Sequence, residues 1–182
     1  GRLVTNQDFF LAEKLLVTHI DSFCQQLGID FSIAGCYKTP TSQAHERHFY
    51  RELLGRDCVV FSDSYRLVSK SEWVVFIDST LGYEALAAGK KTANFSWRAP
   101  LLSAPEYMFG WPSISYNGPF WSNVAEKSDV KRILSYITQI DDSEWEITSK
   151  DTIQQLMRVD YGNSLFREFI NSHPPGNTQK GI

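Results

Sequence analysis

The 182-residue sequence has little cysteine and no long hydrophobic run. Its three cysteines, Cys24, Cys36 and Cys58, are widely spaced without a CxxC pair, which argues against a zinc cluster and predicts three buried thiols. No apolar stretch reaches the roughly 20 residues of a membrane span, and no signal peptide is evident. Since 18 basic and 21 acidic residues give a net charge of −3, no nucleic-acid partner is predicted.

What is present is the composition of a folded protein. Hydrophobic residues make up 42% and charged residues 21% of the chain, which is typical of a domain with a core. We predict a single domain over residues 1–173 and a disordered tail over residues 174–182. The chain opens with Gly1 and its first methionine is Met108, so we expect it to be a fragment of a longer protein.

Short apolar runs alternate with helical patterns. Runs without polar alternation are typical of parallel strands whose sheet is covered by helices on both faces. The sequence therefore predicts a three-layer, Rossmann-like α/β domain with a mainly parallel sheet of five or six strands in the order 3-2-1-4-5. The predicted strands are residues 3–5, 29–36, 58–61, 73–77 and 91–95, with 113–116 as a sixth. The predicted helices are residues 9–27, 42–54, 64–71, 128–140, 149–158 and 164–171.

The main candidate site lies where the fourth predicted strand ends. Asp78, Ser79 and Thr80 follow it directly, and open parallel sheets bind ligands beyond the carboxyl ends of their strands. With Ser79 or Thr80 as the helix N-cap, unpaired N–H groups, the helix dipole and two hydroxyls favour a phosphate or carboxylate. Gly82 permits close approach, and Glu84, one turn along the same face, offers acceptors to a ribose diol. A purely structural cap and a solvated glutamate remain alternatives.

The same segment carries a family resemblance. Residues 78–92, DSTLGYEALAAGKKT, resemble the hydroxyl-x-Gly-x-Glu-Ala-x-Ala-x-Gly-Lys segment of GT-B glycosyltransferases. The resemblance is closest to the type used in bacterial surface-polysaccharide biosynthesis, and it implies the carboxyl-terminal, donor-nucleotide-binding domain of such an enzyme. It implies that Ser79 and Thr80 contact the diphosphate and that Glu84 holds the ribose.

The implied function is the nucleotide-sugar-binding half of a glycosyltransferase in surface polysaccharide or lipopolysaccharide biosynthesis. The resemblance implies an amino-terminal acceptor domain as partner, no metal or other cofactor, and an inactive isolated fragment. It places the protein in the cytoplasm, with peripheral association of the full-length protein at the inner membrane face. Sugar-nucleotide epimerases of the same fold carry similar segments, so an epimerase is an alternative. A non-catalytic interaction domain is a second one.

Secondary candidates flank this segment. Lys38, in the loop after the second strand, is a candidate phosphate partner, although the IAGCYKTP sequence there lacks the Pro-His that many family members have. Ser62-Asp63 follow the third strand and are candidates beside a nucleobase. His45 and His48 share a helix face without further ligand spacing, so no metal site is predicted.

Residues 95–121 combine proline, glycine and many aromatics. Long structured loops in compact domains often carry function, and Arg98 in this segment either faces the predicted site or is a surface charge. Its aromatic rings either stack on a sugar or base, or pack in the core or against a partner. They are Trp97, Tyr107, Trp111, Tyr116 and Trp121.

Overall fold

The computed structural model describes residues 6–157, 160 and 162–172, and helices make up 58% of it. The helices are α1 (Asn6–Leu27), α2 (Pro40–Leu54), α3 (Ser64–Lys70), α4 (Thr80–Ala87), α5 (Arg98–Leu102), α6 (Lys127–Gln139), α7 (Asp142–Leu156) and α8 (Ser164–Ser172). A 3-10 turn, Pro105–Tyr107, follows α5. The strands are β1 (Ile33–Ala34), β2 (Val59–Val60), β3 (Trp73–Phe76), β4 (Lys91–Phe95) and β5 (Trp121–Ser122).

The strands form two small parallel sheets rather than one. β1 pairs with β2, and β3, β4 and β5 form a second sheet in that order. The predicted Rossmann-like sheet of five or six strands is therefore wrong, and so is its strand order. The predicted strand over residues 3–5 lies outside the described residues.

A cleft explains why the sheet is interrupted. A cavity of about 880 Å³ is lined on one side by residues 28–32 and Ala34, and on the other by Leu67, Val68 and residues 70–75. Of the predicted strand 29–36, only two residues pair, and the run before them lines this cleft. The apolar run 29–36 predicted a strand, but a strand forms only where a neighbouring strand lies within hydrogen-bond reach, and here that holds for two residues.

The segment between β4 and α6 differs most from the predicted pattern. Residues 113–116 are not a strand; Ile114 from this stretch is fully buried instead. The fifth strand is the two-residue β5, whose register pairs Asn94 with Trp121.

Helix α7 starts at Asp142, seven residues before the predicted 149, because the Asp141 side chain caps it by accepting the N–H of Glu144 at 2.8 Å.

The second sheet carries the main core. Helix α6 packs over β4, α1 packs against α5 and α6, and α4 packs against β3 and β4. The largest fully buried side chains are Trp97, Phe95, Phe109, Phe120, Leu16, Leu86, Ile114, Ile133, Leu134 and Ile137. This packing holds the β3–α4 junction rigidly.

Two further predictions concern the ends and the membrane. The predicted tail, residues 174–182, lies outside the described residues, and the single domain over residues 1–173 stays a prediction. Within the described parts of the chain, no helix combines the length and the apolar character that crossing a bilayer requires.

Candidate functional site

The start of α4 is the centre of the candidate site. Of the two predicted N-cap residues, Ser79 is the N-cap, with extended backbone angles (φ −76°, ψ 130°), and Thr80 is the first helical residue. The Ser79 hydroxyl makes no capping hydrogen bond, and both residues are exposed. The helix thus begins, directly beyond β3, with hydroxyls that its own backbone does not use. Such a terminus is suited to an anion.

Gly82 has a structural explanation. It is buried in the first turn of α4, and a Cβ atom there would lie 2.0 Å from Cγ of Phe76. The missing side chain therefore lets α4 pack directly on β3. A contact between Gly82 and a ligand stays a prediction, but this glycine needs no ligand to account for it.

Glu84 is exposed one turn beyond Thr80 and is hydrogen-bonded to a residue of α3. The hydroxyl of Tyr65, on α3, donates a hydrogen bond to Glu84 Oε2 at 2.8 Å. That hydrogen bond raises the pKa of Tyr65 above its ordinary value, so the phenol stays a proton donor at neutral pH. Tyr65 was missed from the sequence, where its only signal is its position two residues after Asp63.

Asp78, the residue before the N-cap, is bound by a buried arginine. Arg98 is 8% exposed, and its Nη1 donates to both carboxylate oxygens of Asp78 at 2.7 and 2.8 Å. Its Nη2 donates to Glu13 Oε2, on α1, at 3.1 Å. Arg98 therefore faces the predicted site, and the surface-charge alternative is wrong. We call Asp78, Arg98 and Glu13 the Arg98 ion cluster; its arginine is buried, Glu13 is half-buried and Asp78 is exposed.

The cluster continues toward α2. The hydroxyl of the buried Tyr50 donates to Glu13 Oε1, and burial, followed by the Glu13 carboxylate, raises the pKa of Tyr50 well above its usual range. The phenol is therefore a permanent donor to Glu13. Because the chain separation between Glu13 and Arg98 is 85 residues, no local pattern in the sequence could reveal this pairing.

Lys38 is exposed in the loop after β1 and makes no ion pair with another described residue. The loop itself is held by Glu46, whose carboxylate accepts the backbone N–H groups of Cys36 and Tyr37 at 3.2 and 3.4 Å. No hydrogen bond or ion pair between described residues joins Lys38 to α4. A role for Lys38 in phosphate binding stays a prediction.

The carboxylate of Asp63 has a local role. It accepts the N–H groups of Tyr65 at 2.9 Å and Arg66 at 3.4 Å, and so caps α3. His45 and His48 are both exposed. Among the described residues, no three His, Cys, Asp or Glu side chains lie close enough together to hold a metal.

The cysteines and aromatics divide between core and surface. Cys24 and Cys58 are buried, and burial raises the pKa of Cys24 to about 11, whereas Cys36 is exposed, so the prediction of three buried thiols is wrong for Cys36. Trp97 and Trp121 pack in the core. Exposed rings include Trp111 and Tyr116 in the 95–121 segment, and Tyr37 and Tyr65 elsewhere.

These features define a helix-rich α/β protein with an anion-suited helix start beyond β3. A family model described as “putative O-antigen biosynthesis protein” matches residues 1–174, and the chain belongs to this family. The predicted setting, surface-polysaccharide biosynthesis, is thereby confirmed, but the match identifies neither a GT-B domain nor a glycosyltransferase. The comparisons with curated proteins and with solved structures gave no match.

Proposed function

We propose that this protein binds a nucleotide sugar for glycosyl transfer in O-antigen biosynthesis. The observation that carries the proposal is the exposed start of α4, where the Ser79 hydroxyl makes no capping bond and Glu84 follows on the same helix. In the proposal, Ser79, Thr80 and the first N–H groups of α4 bind the diphosphate. Glu84 accepts hydrogen bonds from the ribose hydroxyls.

The charge around the site supports this assignment. An aspartate directly before the N-cap would repel a diphosphate if its charge were unpaired. Here both oxygens of Asp78 accept hydrogen bonds from Arg98, which pairs the charge of this exposed carboxylate. The helix dipole and the Ser79 hydroxyl can then act on a diphosphate with less repulsion from Asp78.

The same arrangement suits the transfer reaction that we propose. When the bond between the sugar and the diphosphate breaks, negative charge grows on the diphosphate oxygens, and fixed donors at a helix start stabilise that charge. Lys38 is a second candidate for this role. In the proposal, the acceptor of the sugar and the base that activates this acceptor are bound by other residues than Ser79, Thr80, Glu84 and Lys38.

Calorimetric titration with UDP-, CMP-, GDP- and dTDP-sugars tests the proposal. At least one of these ligands should bind, and Glu84→Ala should weaken its binding about tenfold, since hydrogen bonds to a charged group contribute about 1.5–3 kcal/mol. Glu52→Ala is the matched control, because Glu52 is also an exposed helical glutamate but lies in the last turn of α2. Absence of binding for the whole panel, or equal affinity in both variants, would contradict the proposal.

A further inference from the structure

Tyr65 is a large ring that is both exposed and fixed. It is 63% exposed, although an aromatic ring gains by leaving water. Its hydroxyl donates to Glu84 Oε2, and its backbone N–H donates to Asp63 Oδ1. The ring is therefore held at both ends while most of its surface remains open.

Its position relates it to the carboxylate of the proposed site. Tyr65 lies in the first turn of α3, after β2, and Glu84 lies on α4, after β3, so their hydrogen bond joins the helices that follow one strand of each sheet. Because the Tyr65 hydroxyl lies 2.8 Å from Glu84 Oε2, a sugar bound at Glu84 comes within reach of the Tyr65 ring. In a nucleotide, the base is attached to that same sugar.

We propose that Tyr65 is the stacking surface for the base of a nucleoside diphosphate whose ribose is held by Glu84, and that its hydroxyl positions the Glu84 carboxylate. The inference rests on the proposed function and adds to it the residue that contacts the base. Bases stack on aromatic side chains with little sequence preference, because every base presents a π face.

The Glu84 carboxylate can accept hydrogen bonds from the Tyr65 hydroxyl and from a ribose at the same time. An ionised carboxylate has about four lone-pair sites, of which the Tyr65 hydroxyl occupies one on Oε2. No hydrogen bond from the described residues reaches Oε1 of Glu84, which leaves it to a ribose hydroxyl. Asp63 thereby acquires an indirect role, since it fixes the first turn of α3 and with it the Tyr65 ring.

The test compares variants of Tyr65 against probes with and without a base. UDP and GDP are titrated calorimetrically into the wild type, Tyr65→Ala and Tyr65→Phe, and inorganic pyrophosphate is measured as a competitor of UDP. Tyr65→Ala should weaken the binding of UDP and GDP about fivefold or more, because stacking of a base on an aromatic ring contributes about 1–3 kcal/mol. Tyr65→Phe, which keeps the ring, should lie between the wild type and Tyr65→Ala. Pyrophosphate should compete equally well in all three proteins.

Tyr116→Ala is the matched control. Tyr116 is also an exposed tyrosine, 55% accessible, but its ring lies against Trp121 of β5, two strands away from β3. Unchanged UDP affinity is expected for this variant. Because Tyr65 is mostly exposed, its variants should keep the wild-type unfolding midpoint, which is measured alongside.

The outcomes separate this inference from the proposed function. If Glu84→Ala weakens UDP binding and Tyr65→Ala does not, Tyr65 is not the stacking surface, but the proposed nucleotide site is retained. If Tyr65→Ala weakens the binding of pyrophosphate as much as that of UDP, the ring has only a structural role, and the inference is wrong. If the wild type binds neither nucleotide nor nucleotide sugar, both fail together.

Discussion

Adjacent polar residues at the end of β3 differ in their partners. Asp78 belongs to the Arg98 ion cluster and accepts hydrogen bonds from Arg98, which is 8% exposed. The next residues, Ser79 and Thr80, are exposed, and the Ser79 hydroxyl caps nothing. Adjacent polar residues of similar appearance in the sequence thus divide into one set with protein partners and one set available to a ligand.

The two sets of residues differ in whether they contribute to stability or to ligand binding. Polar groups inside a protein are costly unless they are paired, so the ion cluster must be complete for the fold to be stable. An exposed cap without a capping bond contributes little to stability. We therefore expect substitutions in the cluster to affect stability, and substitutions at the start of α4 to affect binding.

The largest effect is expected for Arg98→Ala. Removing the guanidinium leaves Asp78 without its ion-pair partner and Glu13 with the Tyr50 hydroxyl alone among the described residues, which should lower the free energy of unfolding by about 3 kcal/mol. Urea denaturation followed by circular dichroism measures this loss. Arg132→Ala is the control, because the Arg132 side chain is 43% exposed, against 9% for Arg98, and its pair with Asp129 should contribute no more than about 1 kcal/mol. A similar loss in both variants would remove the distinction drawn here.

A smaller loss is expected for Gly82→Ala. The new methyl group would overlap the ring of Phe76, so α4 must shift from β3 at a cost of about 1–3 kcal/mol. In a Phe76→Ala background the same substitution should cost less, because the Phe76 atoms that the new methyl group meets, Cγ and both Cδ atoms, are gone. If Gly82→Ala keeps full stability in the wild-type background, the close packing of α4 on β3 is not as described.

The smallest effect on stability is expected for Ser79→Ala. Because the Ser79 hydroxyl makes no capping bond, its loss should change the free energy of unfolding by less than about 0.5 kcal/mol. Thr39→Ala is the comparison, since the Thr39 hydroxyl accepts the N–H of Ser42 and caps α2, which is worth about 1 kcal/mol. Equal losses in urea titrations of the two variants would show that Ser79 is a structural cap after all.

Much of the local structure could be predicted because its signals are local. The bounds of β4 match the prediction, and Ser79 is one of the two N-caps predicted, since the Gly89 turn before β4 and a capping residue act over a few neighbouring positions. Helices α6 and α8 lie within one residue of their predicted ends because their apolar spacing is regular.

The longer-range features could not be predicted in this way. Whether β1 and β3 pair depends on how the helices separate them, and the strand-like pattern of residues 29–36 carries no information on that distance. In the Arg98 ion cluster, Asp78 and Glu13 lie 20 and 85 residues from Arg98 in the chain. Tyr65 and Glu84 are likewise 19 residues apart, so their contact depends on the packing of α3 beside α4.

The most direct test of the central claim is the NMR response of backbone amides to a nucleotide sugar. The amide signals of Thr80 and Leu81, at the open start of α4, are followed while a UDP- or GDP-sugar is titrated into the labelled protein. We expect these two amides to shift most, with a smaller shift at Tyr65. No shift at any amide, or shifts confined to residues 95–121, would contradict the claim that the start of α4 is the ligand site.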